Sequence, residues 1–136
     1  MQREPNILLD KSDCFSSRII KMYKYLTEQK REYVLSKQVL RCGTSIGANL
    51  AESKNAQSTA DYLSKQNIAL KEADETQYWL KKLYEGNYLN DKEFNSINKD
   101  CEELVKMLVA SVKTLKQKLG KLCVIISFIF HFSSLI

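Results

Sequence analysis

Phe94, Ile97, Cys101, Leu104, Leu108, Val112, Leu115 and Leu119 follow one another at spacings of 3, 4, 3, 4, 4, 3 and 4. Only an α-helix sets residues so spaced in one line, and the near-heptad rhythm is that of a helix whose seam faces other helices. The segment opens at Asn90, an N-cap residue, with Glu93 three positions on, a variant of the capping box. It is expected to be a helix over about 91–119, ended by Gly120.

Three more segments carry helical periodicity. Phe15, Ile19, Met22, Tyr23 and Leu26 form a stripe on a helix expected over about 11–29, with Asp10 or Ser12 as cap. Residues 1–10 are expected as an irregular lead-in. A second helix is expected from Ser36, as N-cap, to about Ser53, with Val39, Gly43, Ile46 and Leu50 on one face and Cys42 and Gly47 beside it. Each of its glycines costs about 1 kcal/mol against alanine. Their four-residue spacing on the buried side predicts close approach by a neighbouring helix. A third helix is expected over about 60–85, with Tyr62, Ala69, Ala73, Leu80 and Tyr84 as its core stripe and Gly86–Asn87 as its stop. With one proline and four glycines, an all-β fold lacks turn material. The fold expected is all-α, an antiparallel up-down-up-down four-helix bundle over 11–120.

Residues 122–136, L-C-V-I-I-S-F-I-F-H-F-S-S-L-I, carry no acid, lysine or arginine and no amphipathic period. Fifteen residues fall short of the ~20 that span a bilayer. The expectation over 121–136 is a frayed, atypical appendage, ahead of a membrane-associated end or a segment packed on the bundle or a partner. It is also an aggregation liability.

Catalytic material is sparse. His131 is the single histidine, and there is no phosphate-binding glycine loop, HExxH or GxSxG. Glu72 and Glu75 share a flank of the third helix with Asp74 close by, but no matching E-x-x-H exists for a carboxylate metal site, and ion pairing is expected instead. No enzyme activity, metal or cofactor is expected. Cys14, Cys42, Cys101 and Cys123 form no CxxC pair, and with no secretory signal in view they are read as reduced thiols in a cytoplasm.

Binding surfaces are better represented. Arg41, Ser45, Asn49 and Glu52 make a polar stripe on the second helix, either a binding site or a helix–helix network in which Arg41 pairs with Glu72 or Glu75. Ile68, Glu72, Glu75 and Trp79 make a second stripe on the third helix, suited equally to a subunit interface or a wide core face. The net charge is +5, and no acid follows Glu103, whereas Lys106, Lys113, Lys116, Lys118 and Lys121 do. Lys92, Lys99, Lys106 and Lys113 recur every seven residues, roughly 10 Å apart at 1.5 Å per residue. Such a row can track phosphates; the alternative is a solvated face on which Lys99 and Lys106 pair with Glu102 and Glu103. Arg18, Lys21 and Lys24, interleaved with Tyr23 and Tyr25, add basic charge on the first helix.

The stretches R-C-G-T-S-I-G-A-N-L-A-E-S at 41–53 and N-I-A-L-K-E-A-D-E-T-Q-Y-W-L at 67–80 resemble the bacterial four-helix-bundle proteins encoded in intervening sequences of 23S ribosomal RNA genes. The resemblance runs over about 11–119. Arg41, Gly43, Ser45, Gly47, Asn49 and Glu52, with Glu72 and Glu75, fall in those two stretches. The resemblance implies a small antiparallel bundle without established activity. It extends to the accessory protein of diversity-generating retroelements, which implies a homopentamer with a basic surface for nucleic acid and a reverse transcriptase. The function expected is a self-assembling bundle that binds RNA or DNA without catalysis. The alternative is a protein-interaction scaffold whose lysines only solubilise it. A membrane partner is not expected.

Overall fold

In a computed structural model the structure describes residues 6–135. Four helices follow in order: α1 (Ile7–Glu28), α2 (Leu35–Ser53), α3 (Thr59–Glu85) and α4 (Asp91–Ser133). No strand occurs among the described residues. Each helix packs on its neighbour in sequence, and α1 also touches α4. The predicted stripes meet in one core: Ile19 and Leu26, Ile46 and Leu50, Ala73 and Leu80, and Leu104 and Leu108 are all buried.

The glycines of α2 do admit a close neighbour, and that neighbour is α1. A Cβ on Gly43 would stand 2.9 Å from Ile19 Cγ1, and one on Gly47 would stand 3.0 Å from Ser16 Oγ and 3.3 Å from the Ser12 carbonyl oxygen. Two hydrogens in place of two methyl groups let the α1 backbone lie against α2.

The helix ends follow local chemistry, and several correct the sequence expectation. Helix α1 begins at Ile7, inside the expected lead-in, because Asn6 Oδ1 accepts from the Leu9 N–H at 3.1 Å and Leu8 and Leu9 add to the core contacts. The remainder of that lead-in, 1–5, lies outside the described residues. Asp10 sits in the first turn, and the buried Ser12 hydroxyl donates to the Leu9 carbonyl. Ser36 is not the cap of α2. Its hydroxyl donates to the Glu32 carbonyl, and the Glu32 carboxylate accepts the N–H groups of Val34, Leu35 and Ser36 at 3.0, 2.8 and 2.6 Å. Glu32 reaches this position through Arg31, which takes a left-handed φ of 53°. Burial pushes the Glu32 pKa up, but the backbone donors outweigh it and hold the carboxyl below its ordinary value.

Ser58 caps α3, accepting from Asp61 N, and Asn90 with Glu93 forms the expected capping box of α4. At the end of α3 the left-handed residue is Asn87 (φ 62°) rather than Gly86. Tyr88 N–H donates to Leu83 O and Asn87 N–H to Tyr84 O, a Schellman arrangement.

The largest correction concerns α4, which continues through Gly120 to Ser133. A glycine inside a helix costs about 1 kcal/mol, too little to halt a helix that meets no proline and no capping residue there. The apolar appendage is thus a helical extension of α4. From Gly120 onward every described residue is exposed, so it is not packed on the rest of the chain. Among the described residues no helix is long and apolar enough to cross a membrane.

Candidate functional site

The polar stripe of α2 and the second stripe of α3 face each other. Arg41 bridges Glu72, at 3.5 Å, and Glu75, and Trp79 Nε1 donates to Glu75 Oε1 at 3.2 Å. Ser45 Oγ donates to the Arg41 carbonyl and Asn49 Nδ2 to the Ser45 carbonyl, so both side chains turn back on their own helix. Glu52 pairs with Lys65 of α3 at 2.9 Å, and that hydrogen bond and charge raise the Lys65 pKa. Arg41 and Glu52 thereby join α2 to α3, whereas Ser45 and Asn49 bond within α2. Ile68 stays 39% exposed, whereas Trp79 is partly buried against the core. Of the expected interface residues, Glu72 and Glu75 are engaged within the chain and Ile68 offers an exposed apolar surface.

The basic residues divide. Arg18 donates to Asp100, to the Ser96 carbonyl at 3.2 Å and to Ser96 Oγ at 2.8 Å, clamping α1 to α4. Lys11 pairs with Glu103 at 2.6 Å on the same seam, and Tyr25 Oη donates to Glu93 at 3.2 Å. The acid partners foreseen for Lys99 and Lys106 are therefore used elsewhere: Glu103 by Lys11, and Glu102 by Asn98 Nδ2 at 3.1 Å. Among the described residues no carboxylate lies within ion-pair distance of Lys21, Lys24, Lys106, Lys113, Lys116, Lys118 or Lys121. All seven are exposed. Arg18, Lys21, Tyr25, Lys92, Glu93 and Ser96 line a cleft of about 550 Å³ between α1 and α4, which brings Lys21 and Lys92 to one cleft. Sequence spacing could not pair these two, because they are far apart along the chain.

Cys42 and Cys101 are buried, Cys14 and Cys123 exposed, and all four are free thiols. Burial raises the Cys42 pKa and pushes that of Cys101 up to about 12. Among the described residues no three His, Cys, Asp or Glu side chains cluster as metal ligands.

The 23S rRNA-intervening sequence protein family matches residues 4–110. Among solved structures, a protein of unknown function from the S23 ribosomal protein family of Bacteroides thetaiotaomicron VPI-5482 is 48% identical, with a TM-score of 0.78. That similarity covers 79% of this chain and 99% of the other. No curated protein matches the chain. The family match ends before Lys113, so the most basic stretch of α4 and its apolar extension lie beyond it.

Proposed function

The chain belongs to the 23S rRNA-intervening sequence protein family, and from that premise we propose that it is a self-assembling, non-enzymatic bundle that binds RNA or DNA through α4. The observation that carries the reading is the run of exposed lysines Lys106, Lys113, Lys116, Lys118 and Lys121 with no carboxylate partner among the described residues. Lysines already neutralised by acids release few counterions, whereas unpaired ones on a rigid helix release one for each phosphate they meet. Lys21 and Lys24 of α1 extend the surface, and Arg18 keeps its place in the α1–α4 clamp.

An antiparallel up-down-up-down bundle is the topology proposed. Lys11, Arg18 and Tyr25 of α1 meet Glu103, Asp100 and Glu93 of α4, in opposite order along the two helices. Arg41 and Glu52 of α2 likewise meet Glu75 and Lys65 of α3. Assembly, with five copies as in the retroelement accessory protein the chain resembles, would multiply the lysine rows around a ring. Exposed Ile68 supports a contact between copies. The setting proposed is the cytoplasm, with a reverse transcriptase or another protein as further partner. A scaffold without nucleic acid is the competing reading, favoured if salt has no effect.

The test is a salt titration of binding to mixed-sequence RNA and DNA by the full chain and by its Lys106→Gln/Lys113→Gln/Lys116→Gln variant. Binding should be sequence-tolerant, weaken as salt rises, and lose about one unit of log–log slope per phosphate contact removed. No binding at low salt by folded protein would reject the nucleic-acid reading. Unchanged binding by the variant would move the surface to Lys21 and Lys24.

A further inference from the structure

The extension of α4 carries a broad apolar arc. At 100° per residue Leu122, Val124, Ile125, Ile126, Phe128, Ile129, Phe130 and Phe132 spread over about two thirds of its circumference, and Cys123, Ser127 and His131, four residues apart, take the remaining strip. All are exposed, Phe128 by 75% and Phe130 by 76%. A partner that covers one stripe of so wide an arc leaves its flanks in water. Such an arc beside a narrow polar strip is satisfied by a groove that wraps it or by the interface of a lipid layer, with the strip turned to water. The charge pattern selects between these. Immediately N-terminal to the apolar stretch stand Lys113, Lys116, Lys118 and Lys121, exposed and with no acid among them. An apolar arc with a basic collar complements an anionic bilayer surface, with acyl chains against the arc and headgroups against the ammonium groups. Sequence length alone disfavours a membrane because the stretch is too short to span one; the all-round exposure of a formed helix is what the fold adds.

We propose that the helix from Leu122 to Ser133 inserts into one leaflet of an anionic lipid surface, with Lys113, Lys116, Lys118 and Lys121 seated at its headgroups. Twelve residues at 1.5 Å rise reach about 18 Å, against the ~30 Å of hydrocarbon in a whole bilayer. The insertion is therefore monotopic, and the four-helix core stays in water. This inference does not rest on the nucleic-acid reading, since the apolar side chains take no part in phosphate contact.

The test uses the full chain with vesicles of phosphatidylcholine alone or with 30 mol% phosphatidylglycerol, read by co-sedimentation. A second readout uses a polarity-sensitive fluorophore on exposed Cys123 in a Cys14→Ser background, where the remaining thiols are buried. Expected are co-sedimentation with anionic vesicles and a blue shift of the label. Replacing Lys118 and Lys121 by glutamine should weaken partitioning roughly fivefold per lysine. Phe128→Asp with Phe130→Asp should abolish it while leaving melting and nucleic-acid binding unchanged. No co-sedimentation with anionic vesicles, or no shift of the label, would overturn the proposal. So would vesicle-free oligomers that the double aspartate variant dissociates, because these would assign the helix to a second copy of the chain.

Discussion

Glu32 gives the sharpest test of how α2 is started. Its carboxylate takes three backbone N–H groups that the helix itself leaves without partners. The residue is only 7% exposed, and α2 has no acid in its own first turn. In Glu32→Ala the N–H groups of exposed Val34 and half-buried Leu35 can turn to water, a loss of about 1 kcal/mol by comparison with ordinary caps. The N–H of buried Ser36 cannot, and an orphaned buried donor adds about 1–2 kcal/mol. The expected deficit is about 2–3 kcal/mol, or roughly 6–10 °C in melting temperature for a chain of this size. Its pH dependence has a definite sign. The folded pKa of Glu32 lies below its ordinary value, so its contribution is complete above the unfolded pKa and is lost as pH falls through the folded one. Urea unfolding followed by circular dichroism, at fixed protein concentration and at pH 7 and pH 3, reads both. Wild type should exceed Glu32→Gln at pH 7, and the gap should narrow at pH 3. Glu32→Ala within about 0.5 kcal/mol of wild type at pH 7, or a Glu32→Gln gap as large at pH 3 as at pH 7, would refute the capping role.

Gly47→Leu should destabilise the protein by about 1–3 kcal/mol, because its Cβ would meet the Ser12 backbone oxygen at 3.3 Å and backbone cannot swing aside; an equal or higher melting temperature would show that this face is open. Gly120→Ala meets nothing within 4 Å, so it should strengthen the extension of α4 by about 0.5–1 kcal/mol. Slower amide exchange over 116–126 checks this, and unchanged exchange would place a break in the helix at Gly120.

The core was legible because burial follows a period of 3.6 residues, and Ile19, Ile46, Leu80 and Leu104 each sit where that period puts them. The Arg41–Glu75 contact was legible as well, since an arginine and a carboxylate on facing stripes of consecutive helices have few other partners. What escaped was of two kinds. Glu32 caps α2 from inside a turn whose shape depends on the positive φ of Arg31, and no spacing rule reveals that shape. Gly120 reads as a stop because glycine so often ends helices, yet at this position nothing competes with the next turn. The use of Arg18 at the α1–α4 seam also went unseen: its partners Ser96 and Asp100 lie 78 and 82 residues away along the chain. Seven-residue spacing aligns Lys92, Lys99, Lys106 and Lys113 along α4, but whether the neighbouring Glu103 was free depended on Lys11, which belongs to another helix.

The two buried thiols equip the protein with an internal clock. With its pKa pushed up to about 12, Cys101 is ionised at pH 8 in roughly one closed molecule in ten thousand. Packing shields even that fraction from a reagent in solution. Alkylation at Cys42 and Cys101 therefore counts the moments at which α2 and α4 part from the core, while Cys14 and Cys123 react at once and set the unhindered rate. The ratio of slow to fast labelling converts to an opening free energy in the native state, without denaturant. Comparing Cys42 with Cys101 then tells whether α2 and α4 leave the core together or one before the other.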